Sequence, residues 1–393
     1  MVASKLLLDL RRNDRKGGFH LDMTNRERAL AVLHYGKSDR LPLAHFGFWD
    51  ETLSKWAEEG HITTEEARGW GDGNEIEKSV TEKLGFDFNY YSCFGSNTDI
   101  IPSFEGKIVE EMPDGSRKVL NSHGVVVLQR SGAGSIPSEI EHLLKSRAEW
   151  EEHFLPRLQY SPDRVGVSAE TVAYLEDPNR TELRGLHCGS LFGMIRNWVG
   201  VEGSAYLHAD DPDLFAEMIN TVGELSYKCA EEALNRTASF DFAHFWEDIC
   251  FKNGPLINPR LFDELVGPHY KRITQLANSK GIDIVSLDCD GCIDALVPTW
   301  VNNGVNTMFP IEVGTWRADI KPWREQFGKE LRGVGGMDKV VFAHDRAAID
   351  QEIERLKPLV EMGGFIPCPD HRIAPDAKWD NVRYYCDKMR STF

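Results

Sequence analysis

The chain has 393 residues, 41% of them hydrophobic, with 45 Lys and Arg against 62 Asp and Glu for a formal net charge of -17. That acidic balance speaks against a nucleic-acid binder or a polybasic membrane protein, because contact with phosphate needs a surplus of Lys and Arg. A 10% aromatic content argues against a disordered chain, and 8 cysteines over this length are too dilute for a secreted disulfide framework, so a cytoplasmic location is expected.

Residues 1–22 carry five Lys and Arg against three Asp, with only a short Leu patch at 6–8 that Asp9 ends. This reads as a solvated N-terminal extension rather than a signal peptide, leaving 23–393 as one domain. Thr24 followed by Glu27 is a capping-box pair, and a helix is expected over 25–34. Tight apolar runs then recur at 41–48 (LPLAHFGF), 86–91 (FDFNYY), 183–189 (LRGLHCG) and 240–247 (FDFAHFWE). They continue at 282–288 (IDIVSLD), 304–311 (GVNTMFPI), 330–335 (ELRGVG) and 363–367 (GGFIP). Amphipathic stretches at 212–235, 258–280, 293–302, 347–362 and 381–389 lie between or after them. Strand-then-helix alternation repeated about eight times favours a closed (β/α)8 TIM barrel over an open sheet.

One segment breaks the rhythm. Residues 104–130 (FEGKIVEEMPDGSRKVLNSHGVVVLQR) hold a PDG turn between two alternating runs, which is a β-hairpin signal. It is expected to belong to an insertion after the second strand, about 98–160, with a helix over 138–153 before the barrel resumes.

In such a barrel the chemistry lies at the C-terminal strand ends. Those ends present His45, Phe46 and Trp49; Tyr91; His187; Trp246 and Glu247; Asp288 and Asp290; Met337 and Asp338; and His371. Aromatics with a ring of carboxylates describe a small-molecule site for acid/base or cation chemistry. Glu247-Asp248 stops an apolar strand; a helix N-cap accounts for Asp248 but not also for Glu247. Asp288-Cys289-Asp290-Gly291-Cys292 lacks both the thioredoxin-like setting of a redox CxxC and the second pair of a structural zinc site. Asp370 beside His371 is suited to fixing an imidazole tautomer. Gly333–Met337 lacks the ending of a phosphate loop, and no Gly-x-Ser-x-Gly elbow is present.

The stretches TNRERALAVLHYGKSDRLP (24–42), HFWEDICFKNGPLINPRLFDELVGPHYKRI (244–273), LDCDGCIDALVPTWVNNGVN (287–306), GGMDK (335–339) and GGFIPCPDHRIAPDAKWDNVRYY (363–385) resemble the uroporphyrinogen decarboxylase superfamily. That family of single-domain barrels also contains corrinoid-linked methyltransferases and is related to cobalamin-independent methionine synthase. The decarboxylases carry an arginine-rich RQAGR segment after the first strand that grips the substrate's carboxylates. Here the matching stretch is LPLAHFGFWDETL, with no arginine after Arg40. The methyltransferase branch, methylcobamide:coenzyme M methyltransferase-like, carries His-x-Cys after strand five and Cys after strand eight as zinc ligands. Here Asp288, Asp290 and His371 stand in their place, a harder ligand set still suited to zinc or another divalent cation.

The resemblance therefore implies a methyltransferase. It moves a methyl group between a small methylated substrate, an aromatic methyl ether for example (an O-demethylation), and the cobalt of a corrinoid carried by a partner protein. Glu247, Asp288, Asp290 and His371 are the catalytic candidates, the last three also the tentative metal ligands. His45, Phe46, Trp49, Tyr91, His187, Trp246, Met337 and Asp338 are the candidates for contacting substrate. The alternatives are a decarboxylase of a tetrapyrrole or smaller acid, using Arg40, Arg184, Arg196, Arg317 and Arg372, and a non-catalytic corrinoid or tetrapyrrole carrier. Neither a nucleic-acid nor a membrane partner is expected, and a homodimer is left open.

Overall fold

Thr24 accepts a hydrogen bond from the Glu27 amide while the Glu27 carboxylate accepts one from the Thr24 amide, and this box starts helix Asn25–Leu33. The computed structural model describes residues 22–130 and 138–393. Of the extension expected over 1–22, all but Asp22 lies outside the described residues.

The apolar runs form parallel strands β1 (Ala44–His45), β2 (Phe88–Asn89 and Cys93–Gly95), β3 (Gly185–His187), β4 (Phe242–Trp246), β5 (Val285–Asp288), β6 (Thr307–Phe309), β7 (Arg332–Met337) and β8 (Phe365–Pro369). Strand β2 has two halves. Phe88–Asn89 pairs with β1, and Cys93–Gly95 pairs with β3, so the break at Tyr90 lets one strand serve two neighbours. The ladder then runs in chain order through β8. It closes where Phe48, just past β1, bridges Ile373, just past β8, with the Ile373 amide on the Gly47 carbonyl at 3.0 Å. The result is a TIM barrel, and a closed ladder leaves no unpaired sheet edge.

Helices cover the outside. The longest, Pro212–Arg236, starts with Pro212 in its first turn and the Asp211 side chain capping the Leu214 amide, and its buried face includes Leu214, Met218, Val222 and Leu225. The single helix expected over 258–280 is two, Pro259–Leu265 and Gly267–Ser279. Pro268 sits in the first turn of the second helix, where its missing N–H costs nothing, but it would break a continuous one. Helix Thr64–Gly69 escaped the sequence reading because it buries no side chain and so has no apolar period.

Between β2 and β3 lies a separate antiparallel sheet of strands Lys107–Glu111, Arg117–Leu120, Val125–Gln129 and Ser138–His142. Gly115, at φ 82, makes the turn after Pro113-Asp114. The helix expected over 138–153 is corrected: Ser138–His142 pairs with Val125–Leu128, and helical structure begins only at Arg147. With Ile140 its single apolar residue, this exposed strand carries no alternation to read, and Ser146 supplies the cap that starts the turn after it. No helix among the described residues is long and apolar enough to cross a membrane.

Candidate active site

Side chains along a strand point alternately to the two faces of its sheet, and on β4 this sorts the candidates. His244 faces the barrel interior, its Nδ1 2.6 Å from Ser286 Oγ on β5. Phe245 faces the helices, its ring 4.8 Å from that of Tyr270. Trp246 therefore faces inward and Glu247 outward. Trp246 lies level with Asp288 on β5, and Asp288 level with Phe309 on β6, so these three share the inner face at the C-terminal end.

Asp288 is the residue on which the mouth is centred. It is 4% exposed, and among the described residues no donor is hydrogen-bonded to its carboxylate. Burial, reinforced by the charges of Asp290 and Asp248, pushes its carboxyl well above the usual carboxylate range; Arg372 opposes this only partly. Glu312, at the end of β6, is raised likewise by burial and by Asp290, though the Gly291 amide, at 2.5 Å, and Thr315 Oγ1 both donate to it. Asp248, held by Arg196 at 2.8 Å, is raised by burial as well. The mouth thus gathers more negative groups than the protein neutralises.

Around this acid centre stands a rim of rings. His371, in the loop after β8, places Nε2 3.0 Å from Asp290 Oδ2 and stacks on Trp49 at 5.3 Å and 21°. The Phe46 ring lies 5.5 Å from that of His371, 4.5 Å from Phe309 and 5.6 Å from Tyr91. Arg372 covers Phe46 and Trp70 as a cation over rings, while Asp72 binds it at 2.6 Å. Deeper in the barrel, His187 and His244 have ring centroids 5.8 Å apart. Burial lowers the His187 imidazole to about 4 and that of His244 well below its ordinary value, so both are neutral near pH 7.

Asp288, Asp290, His371, Phe46, Trp49, Tyr91, His187 and Trp246 are thus brought to one end of the barrel. Four expected residues are not. His45 turns outward from β1, with Nε2 2.7 Å from Thr81 Oγ1 and 3.3 Å from Glu77. Glu247 is wholly buried behind the barrel wall, where it accepts hydrogen bonds from Ser190 Oγ, the amides of Leu191, Phe192 and Gly193, and Tyr270 Oη. It anchors the start of helix Gly193–Asp210, where partial positive charge favours a carboxylate. A Cβ on Gly193 would come within 2.1 Å of the Glu247 carbonyl oxygen, so only glycine permits this approach. Met337 is fully buried in the wall, and Asp338 caps the Val340 amide at 3.0 Å. Each follows from the pleat or from a cap, which outrank proximity to a strand end.

The expected metal ligands do not form a ligand set. Among the described residues no three His, Cys, Asp or Glu side chains are grouped to hold a metal ion, and His371 Nε2 is already turned to Asp290. The sequence reading assigned no role to His244 or Glu312, and gave Arg372 one only in the decarboxylase alternative. Their signal was present, a polar residue on the inward parity of a strand or one residue past its end, but it is legible only once the parity is known.

The uroporphyrinogen decarboxylase (URO-D) family model matches residues 123–392. Among solved structures, a methyltransferase from Methanosarcina mazei is 15% identical with a TM-score of 0.57, covering 94% of this chain and 98% of that one. A putative vitamin-B12 independent methionine synthase from Listeria monocytogenes is 13% identical with a TM-score of 0.41, covering 91% of this chain and 99% of that one. No curated protein matches the chain at a significant level.

Proposed function

The chain belongs to the uroporphyrinogen decarboxylase family, and from that premise we propose that it is a methyltransferase acting on a small methylated compound, an aromatic methyl ether being the simplest. The observation that carries this reading is the Asp288 carboxyl: inward-facing, 4% exposed, without a hydrogen-bond donor among the described residues and pushed well above its ordinary range. A carboxylic acid that keeps its proton above the ordinary carboxylate range is a proton donor, which is what an ether oxygen needs in order to leave.

A corrinoid carried by a partner protein supplies the cobalt that accepts the methyl group. This chain's residues manage the other half of the bond. As the carbon–oxygen bond breaks with its electron pair going to oxygen, the Asp288 proton passes to that oxygen and Asp288 is left as a carboxylate. The His371–Asp290 pair, whose Asp290 charge acts on Asp288, returns the proton. Phe46, Trp49, Tyr91 and Trp246 hold the apolar part of the substrate and keep water out.

The arginines bear against the decarboxylase alternative. Arg372 is held by Asp72 and Arg196 by Asp248. Arg40 precedes β1 and pairs with Asp87, Arg184 precedes β3, and Arg317 is exposed beyond β6. A polycarboxylate would meet a negative mouth at which three of these five guanidiniums are already paired to carboxylates. The test is anaerobic incubation of the full chain with cob(I)alamin and a panel of methoxylated aromatics, following methylcobalt formation by absorbance. Methylation that falls at least tenfold in Asp288→Asn is the expected result. Carbon dioxide release from uroporphyrinogen, with no methylcobalt from any donor, would overturn the reading.

A further inference from the structure

His244 has no assigned role, yet it lies on the inner face of β4 directly beneath Trp246 and is fully buried. Its Nδ1 is 2.6 Å from Ser286 Oγ, which also lies 3.4 Å from the Ala243 carbonyl oxygen. In the Nδ1–H tautomer the imidazole hydrogen is donated to Ser286. The other nitrogen, Nε2, is then a bare lone pair, and it has no hydrogen-bond partner. Buried polar atoms in folded proteins are almost always paired, so an orphan of this kind calls for a bound group.

The surroundings limit what that group is. The rings of Phe242, Phe309 and Tyr90 stand 6.1, 6.0 and 6.3 Å from that of His244, forming a largely apolar enclosure. The Tyr91 ring stands 5.3 Å from that of His244, at 86°. Tyr91 and His187, the latter with its ring 5.8 Å from that of His244, are its half-buried neighbours. Among the described residues no Lys or Arg is bonded to Nε2, and its ring neighbours are largely apolar, so a neutral hydrogen-bond donor on a flat apolar body suits it better than an anion.

We propose that His244 is the floor of the substrate site, its Nε2 accepting a hydrogen bond from a substrate hydroxyl, so that the methyl donors taken are hydroxylated aromatics of the methoxyphenol class. This rests on the methyltransferase reading above and adds the substrate's second functional group. His244 is on this account a specificity-determining residue, while Asp288 addresses the methyl-bearing oxygen. A site built to pair a hydroxyl discriminates strongly against the analogue that lacks it, because the buried partner is then left alone.

Calorimetric binding of phenol and of anisole to the full chain, without corrinoid, tests the floor directly. Phenol is expected to bind at least tenfold tighter; His244→Leu removes the difference, and His244→Gln, whose amide oxygen accepts, retains part of it. Nitrogen-15 NMR of histidine-labelled wild-type protein is expected to show the Nδ1–H tautomer and a shift of the Nε2 resonance when phenol is added, a readout independent of whether the leucine variant folds. Equal binding of the two probes, binding of neither, a difference that survives in His244→Leu, or the Nε2–H tautomer would each overturn the proposal. A floor that merely holds water gives no preference and overturns it too. Assayed with cob(I)alamin, methoxyphenols are expected to outrun the matching dimethoxybenzenes. If no donor forms methylcobalt while the phenol preference stands, it is the methyltransferase reading that fails.

Discussion

His371 Nε2 and Asp290 Oδ2 stand 3.0 Å apart although 81 residues separate them in the chain. The contact ties the loop after β8 to the loop after β5 at the edge of the acid cluster. Trp49 stacked on the imidazole leaves that ring little freedom to turn away.

Replacing either partner is expected to cost catalysis more than stability. His371→Gln and Asp290→Asn should each lower kcat by about a hundredfold or more, the usual scale of a lost proton-transfer group. The pair is partly exposed, with side chains 18% and 34% accessible, so the stability change should stay within about 1 kcal/mol. Methylation kinetics beside urea denaturation of the same variants separates the two effects. A large stability loss with unchanged kcat would make the pair a structural tie.

The raised carboxyl of Asp288 makes activity and stability depend on pH in the same direction. Activity that needs the protonated acid should be full below the folded-state pKa and fall as pH rises through it. For stability, between the ordinary Asp value and that raised value the folded chain holds a proton the unfolded chain has released, so stability drops as pH rises across this window. Asp288→Asn removes the penalty. The variant should melt higher than wild type at alkaline pH, and the gap should close as pH falls toward the ordinary Asp range. Melting curves across pH for both proteins check this, and a gap that is constant with pH would contradict it.

Arg372 is the cation that opposes the rise at Asp288. Arg372→Gln should therefore hold Asp288 protonated to still higher pH, moving the alkaline limb of the rate profile upward rather than abolishing activity. The full pH–rate profile of the variant is the measurement. A limb displaced to lower pH would mean that Arg372 acts on the substrate instead.

Glu247 should behave in the opposite way to His371. Glu247→Ala strands the buried hydroxyls of Ser190 and Tyr270 and three backbone amides. A loss of roughly 2–4 kcal/mol in urea denaturation is expected from that. Protein that still folds at low temperature should keep most of its kcat, because the carboxylate lies behind the barrel wall. A stable but inactive variant would restore Glu247 to the chemistry.

Part of this was legible without coordinates. The capping box at Thr24 and Glu27, the recurrence of apolar runs and the PDG turn at 113–115 are local signals, each set by a few neighbouring residues, and their order implies a barrel. Helix 258–280 was misjudged only in its continuity, and strand Ser138–His142 only because a short exposed strand has little pattern of its own. The site was harder. Residues at strand ends could be named, but His45 and Phe46, or Trp246 and Glu247, are adjacent in the chain and opposite in space.

The amino-acid order by itself determined the barrel and the end of it at which acids and rings collect, because backbone preference and apolar spacing act over a few residues. Which of those residues meet was decided by the tertiary structure. A strand's side chains alternate, so a shift of one position exchanges the inside of the barrel for the outside. Only the pairing of β4 with β5, Trp246 level with Asp288, sets that parity. The same holds for charge. Asp288 is an ordinary aspartate in the sequence, and it becomes a retained acid only when burial and the approach of Asp290 and Asp248 make ionisation costly.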